Sequence, residues 1–296
     1  MKPRLFMIAL ATASLLTACN NDNETDNRPT TSDTPWIGEI RLCSGVTVQQ
    51  IRATGATPDT QIPAGEEVKV VVAKQDADTD ASYAGYTQTF TATGNGSFSE
   101  MSTMFYPASG KGVSIYAYHP ADAGTSFNVV ENQSTDPSYF ASDLLYSAKK
   151  DYARQSDAHS LAFNHKLSKL TYALESGAGS PDITGAAVKW TNVCKTIAFT
   201  KETGTLGAAS NPTEITPNAT YGTILVPQTV AGGTKLLTVT LTNGKVFSYV
   251  PKDGQVFSSG QVCNYKIKVN LSSLTVTSSI NNWTPITDRT GDAEME

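Results

Sequence analysis

Residues 263–271 constrain this chain more than any other stretch. Cys263, Tyr265, Ile267, Val269 and Leu271 alternate with Asn264, Lys266, Lys268 and Asn270. A period of two puts each set on its own face of an extended chain, so the run is a half-buried β-strand rather than an amphipathic helix. The pattern recurs. Val113, Ile115 and Ala117 alternate with Ser114, Tyr116 and Tyr118 until Pro120, which lacks the N–H a ladder needs. Leu237, Val239 and Leu241 alternate up to Asn243-Gly244, and 245–250 returns; Asn-Gly between such runs marks a hairpin. Runs 86–93 and 96–100 flank Gly94-Asn95 in the same way, and 68–73, 187–190, 196–200, 221–226 and 274–283 read as further strands. Helical periodicity is scarce. The expectation is an all-β chain built as β-sandwiches.

Residues 163–174 predict where one sandwich gives way to the next. Phe163, His165 and Leu167 share one face, whereas Leu170, Tyr172 and Leu174 share the opposite one. A strand that changes its dry face is bulged or passes between cores. Ser168-Lys169 is the expected crossing point, giving domains 36–168 and 169–285, followed by an acidic, frayed tail over 286–296.

The N-terminus is a targeting segment. Lys2 and Arg4 precede an apolar run over 5–16, which is too short for a bilayer span of about 20 residues. The run closes on Leu16-Thr17-Ala18-Cys19, which resembles the bacterial lipobox. That resemblance makes Cys19 the lipid-bearing first residue of the mature chain. Residues 20–35 are rich in Asn, Asp, Thr and Pro and form a flexible tether. Asp22, Glu24 and Asp26 resemble a surface-export tag, although a solvated acidic linker accounts for them equally well.

Residues 36–52 then carry a dry face. Ile40, Leu42, Val46 and Val48 share one side of an extended chain, with Ser44-Gly45 interrupting it and Arg52 following. Four buried aliphatic side chains are worth roughly 6–12 kcal/mol, on the order of the whole net stability of a domain, about 5–15 kcal/mol. A body that lost this strand would need an equivalent one in its place.

The search for chemistry returns little. The net charge is −5, and it becomes about −7 once Lys2 and Arg4 are removed, which excludes an electrostatic footprint for nucleic acid. Cys43, Cys194 and Cys263 lie in strand-like runs without C-x-x-C or zinc spacing, and buried free thiols are expected. His119, His159 and His165 form no metal motif, and His165 reads as a structural core histidine. The 109–112 segment lacks the spacing of a phosphate loop, and no nucleophile elbow is present. Asp76, Asp78 and Asp80 have Ala81 where a calcium loop needs glycine and Thr87 where it needs glutamate, so a solvated loop is expected. The sequence thus predicts no enzyme, no catalytic residue, no metal and no cofactor.

Several segments in order resemble the fimbrillin family of type V pilins. They are the lipobox, Ile51-Arg52-Ala53-Thr54, Tyr106-Pro107, 116–120, 143–146, 163–167, Leu225-Val226-Pro227-Gln228, 262–269 and Ile280-Asn281-Asn282-Trp283. The resemblance implies two tandem transthyretin-like β-sandwich domains in a surface lipoprotein of the outer membrane, held by its lipid before maturation. It also implies an arginine-specific protease that removes the first strand after Arg52, opening a groove that another fimbrial subunit fills by donor-strand exchange. Arg41 is a poorer cleavage position because it lies inside the strand. The implied donor is the C-terminal strand carrying Leu274, Val276, Ile280 and Trp283 with the tail behind it, or a neighbouring segment. The alternative reading is a surface glycan-binding lipoprotein of a nutrient-uptake system, which calls for aromatic platforms in loops.

Overall fold

The computed structural model describes residues 36–46, 60–99, 102–282 and 285–294, with 46, 281, 282 and 285–294 as backbone alone. The first half of the chain forms strands Leu42–Val46 (β1), Glu67–Lys74 (β2), Tyr86–Ala92 (β3), Phe98–Ser99 (β4), Val113–His119 (β5), Ser126–Asn128 (β6), Leu145–Tyr152 (β7) and His159–His165 (β8), with one short helix, Asp136–Phe140 (α1). The second half adds Ser168–Ser176 (β9), Ala187–Thr200 (β10), Thr205–Ile215 (β11), Thr223–Leu225 (β12), Gln228–Val230 (β13), Leu237–Thr240 (β14), Val246–Tyr249 (β15), Gln255–Phe257 (β16), Gln261–Val269 (β17), Ser273–Asn282 (β18) and Pro285–Glu294 (β19). The chain is all-β, as its alternation predicts.

Three sheets carry most of these strands. One runs β1-β8-β7-β5-β2-β3-β4, a second β11-β10-β14-β15 with β6 also on β10, and a third β12-β9-β17-β18-β19. Apolar side chains gather into two clusters. One holds Val68, Val70, Val72, Phe90, Ile115 and Phe163, and the other holds Trp190, Val193, Ile224, Phe247, Tyr265 and Ile267. The dry-face change over 163–174 is a change of sheet: β8 ends at His165 in the first sheet, and β9 begins at Ser168 in the third.

The segment after Pro120 differs from expectation. The polar composition of 121–142 predicts a long loop, but this stretch supplies Phe127, Val129 and Tyr139 to the second cluster. Its β6 pairs antiparallel with β10, placing Phe127 opposite Ile197. Helix α1 is capped by the Thr135 hydroxyl, which accepts from the Ser138 N–H, and proline stands in its first turn where no N–H is needed. Widely spaced apolar residues in polar surroundings gave no periodicity to read.

Three further expectations are corrected or refined. The tail is not frayed over 285–294: it forms β19, antiparallel to β18 from Ser273↔Glu294 to Asn281↔Pro285. Backbone pairing does not need apolar side chains, and without β19 the edge of β18 would be open. Cys194 and Cys263 are free thiols, but Cys43 is disulfide-bonded, against the free thiol expected there. The Asp76–Asp80 loop is only partly solvated. Asp78 is buried, with Ser109 Oγ donating to it at 2.8 Å and the Asp80 N–H at 3.0 Å.

All three histidines are buried, and two of them, His165 and His119, are tied to the framework away from the leading strand. His165 Nδ1 lies 3.0 Å from Asp143 Oδ1. His119 Nδ1 lies 2.9 Å from Glu67 O and its Nε2 3.3 Å from Phe140 O, linking the end of β5 to β2 and α1.

The strand most legible in sequence should also be the least forgiving. Ile267 is fully buried in β17, between β9 and β18. Ile267→Ala is expected to cost about 2–5 kcal/mol in urea unfolding, whereas Val256→Ala, at a side chain 46% exposed, stays within about 0.5 kcal/mol.

Candidate functional site

The leading segment, residues 36–46, is hydrogen-bonded along both flanks. On one side the Ile40 N–H donates to Met104 O at 2.7 Å, and the Tyr106 N–H donates to Gly38 O at 3.0 Å, framing a bridge between Glu39 and Phe105. On the other side the His159 N–H donates to Arg41 O at 2.8 Å, and β1 runs parallel to β8 from Leu42↔His159 to Val46↔Phe163. Beyond that, the Ser44 N–H donates to Gly96 O at 2.8 Å. Gly96 lies in the turn between β3 and β4, at the far end of the same sheet. The segment is thus held by β8 on one flank and by the 104–106 backbone and the β3–β4 turn on the other, and without it the edge of β8 would be open.

Its dry face is where the sequence places it. Ile40 and Leu42 are 3% and 5% exposed and belong to the first apolar cluster. These two side chains alone are worth roughly 3–6 kcal/mol. Ser44 is buried on the same side, and Val46 continues the strand.

A ring of aromatic and cationic groups grips the start of the segment. The Arg154 guanidinium lies 5.1 Å from the Trp36 ring and 5.6 Å from the Tyr106 ring. It also fills the space beside Gly38, where a Cβ would stand 2.7 Å from the guanidinium; with φ at +96°, that position favours glycine twice over. The Trp36 indole N–H donates to Glu39 O at 3.1 Å. Tyr106 and His159 are joined through the phenol oxygen and Nε2, and Tyr152 stacks on His159 with ring centres 4.7 Å apart. Burial lowers the His159 pKa, opposed by a hydrogen bond to the Ala153 backbone and reinforced by the charge of Lys150. Burial likewise raises that of Tyr106. Arg154, His159 and Gly96 carried no signal in sequence, since each sits more than fifty residues from the strand it serves.

Among the residues expected to act, Cys19, Val48, Arg52 and Trp283 lie outside the described residues. Arg41 stands just ahead of β1, its side chain exposed and donating to Glu39 at 2.7 Å, which holds that carboxyl below its ordinary range. Leu274 and Val276 are buried in β18, Ile280 is half-buried, and β18 lies between β17 and β19 in its own sheet. The described tryptophans make no loop platform: Trp190 is fully buried 4.9 Å from Tyr265, and Trp36 is engaged by Arg154. Among the described residues no group of side chains suits a metal ion, and no helix is long and apolar enough to cross a membrane.

The leading strand of this all-β protein is hydrogen-bonded on both flanks, to β8 and to the 96 and 104–106 backbones. The fimbrillin-like family model matches residues 52–283, and the chain belongs to that family. It is 26% identical over 318 aligned positions to a Bacteroides uniformis protein named "Putative fimbrium subunit Fim1C", covering 99% of this chain and all of the relative. Two crystal structures, each of a "putative cell adhesion protein", share the fold. The one from Bacteroides ovatus has a TM-score of 0.65 at 19% identity, over 84% of this chain and 99% of its own. The one from Bacteroides uniformis has a TM-score of 0.62 at 20% identity, over 83% and 98%.

Two outcomes test the grip on the leading segment. Arg154→Ala is expected to make residues 36–46 the first part of the intact chain to lose amide protection in hydrogen exchange, with β17 unaffected. His159 has a folded pKa below its unfolded value of about 6.5, so the unfolded chain binds the proton first as pH falls. Stability should therefore drop as pH falls through about 6.5 and below. His159→Gln should flatten that dependence in urea titrations across that range.

Proposed function

We propose that this chain is a structural or adhesive subunit of a type V fimbria, exported as an outer-membrane lipoprotein through Cys19. An arginine-specific protease cuts after Arg52, the leading strand leaves, and a strand from another subunit takes its place. The carrying observation is the leading segment itself, apolar on one face and hydrogen-bonded to β8 on one flank and to the 96 and 104–106 backbones on the other. Departure of such a strand leaves an apolar slot lined by unpaired backbone, which is the substrate for strand addition. Membership of the fimbrillin-like family and the name of the Fim1C relative support the reading.

In this reading the body is two tandem transthyretin-like sandwiches, 36–168 and 169–285. The two apolar clusters favour that division, with residues 121–146 lent to the second core. The donor is the strand of Leu274, Val276, Ile280 and Trp283. Folded back between β17 and β19, it represents the subunit before assembly.

Treatment with an arginine-specific protease is expected to yield a new N-terminus at Ala53 together with a ladder of SDS-resistant oligomers, and Arg52→Ala should abolish both. Complete cleavage after Arg52 that leaves only monomer contradicts the proposal. Mass spectrometry of the cell-derived protein should find Cys19 diacylglyceryl-modified in the uncleaved form.

A further inference from the structure

Two strands of this chain share one alternating pattern. At alternate positions the leading segment reads Ile40, Leu42, Ser44, Val46, and β18 reads Leu274, Val276, Ser278, Ile280. Each has two large aliphatic residues, then a serine, then a β-branched residue, all at alternate positions. In each the serine is buried to the same degree, 7% exposed, although a strand facing an apolar core would gain by having valine there. No other described strand repeats the pattern.

The slot explains the serine. At Ser44 the segment meets Gly96: its N–H donates to Gly96 O at 2.8 Å and its hydroxyl to the same oxygen at 3.4 Å. The two backbones approach so closely that a Cβ on Gly96 would stand 2.9 Å from Ser44 O. A large apolar side chain at this point would crowd the turn and cover a carbonyl that the serine satisfies. The slot therefore has two apolar positions, filled by Ile40 and Leu42, followed by one small polar position at Ser44.

We propose that Ser278 fixes the register in which β18 of a second copy of this chain occupies the slot. Leu274 replaces Ile40, Val276 replaces Leu42, Ser278 replaces Ser44, and Ile280 replaces Val46, with the donor running parallel to β8 as β1 does. This rests on the strand-exchange reading above and adds the alignment. A slip of one residue would turn Thr275, Thr277 and Ser279 inward. A slip of two would bring Val276 or Ile280 against Gly96. The neighbouring β19 is a poorer fit, because seating it in the slot would bury Asp288 and Asp292 from one alternating set or Arg289 from the other.

Grafts into the intact chain test the alignment without requiring cleavage. Replacing residues 40–46 with the sequence of 274–280 is expected to keep the melting temperature within about 5 °C of a Cys43→Ser control. Replacing them with 272–278 moves the serine off Gly96 and should lower it by about 10 °C or more. A labelled peptide of residues 272–282 should bind the protein cut after Arg52, and Ser278→Leu in that peptide should weaken binding at least about 30-fold. Equal melting of the two grafts, or equal binding of the two peptides, overturns the register while leaving strand exchange standing. If the unmodified peptide fails to bind fully cut protein, strand exchange itself falls, and the register with it.

Discussion

The structure of the first half depends on one contact pattern: an eleven-residue segment, 36–46, hydrogen-bonded to backbone on both flanks. A seven-stranded sheet has two edges, and each edge is a row of unmet N–H and C=O groups. Here the leading segment closes the β8 edge on one flank and is hydrogen-bonded to Gly96 and the 104–106 backbone on the other. It also covers the first apolar cluster with Ile40 and Leu42. That segment continues into residues 1–35 on one side and into 47–59 on the other, so its departure in the proposed cleavage would leave the β8 edge unpaired.

The grip at the start of the segment is built differently from the slot. Trp36, Arg154, Tyr106 and His159 form a polar and aromatic collar, not an apolar pocket. Cation–π contacts of this kind contribute about 0.5–1 kcal/mol at exposed sites, less than the burial of one aliphatic side chain. The collar sets where the strand enters, and the slot supplies most of the holding energy. The two can thus be weakened separately, because Arg154 lies in an exposed loop and Ile40 in the core.

What sequence could show follows from range. Alternation is a local property, so β17, the 243–244 hairpin and the dry face of the leading strand were legible. Partnership is not local. Nothing in residues 40–46 says that they lie parallel to 159–163 or that Ser44 reaches Gly96. β11 was missed because Thr205–Ile215 is polar or small on both faces, and β19 because its acidic side chains conceal a backbone that pairs as well as any other. The cap of α1 was visible at Thr135 and Pro137, but five residues are too few for a period. Of the site, the apolar half was readable from residue type, whereas the collar and the serine position needed the fold.

The central claim is that the leading segment is a replaceable wall of the first sheet. Amide hydrogen exchange across β8, before and after proteolysis at Arg52 at a protein concentration too low for assembly, tests it most directly. The account predicts that His159 and its β8 neighbours lose protection on cleavage, that β17 keeps its own, and that raising the concentration restores the β8 signal. Unchanged protection across β8 after complete cleavage and release of the segment would contradict it.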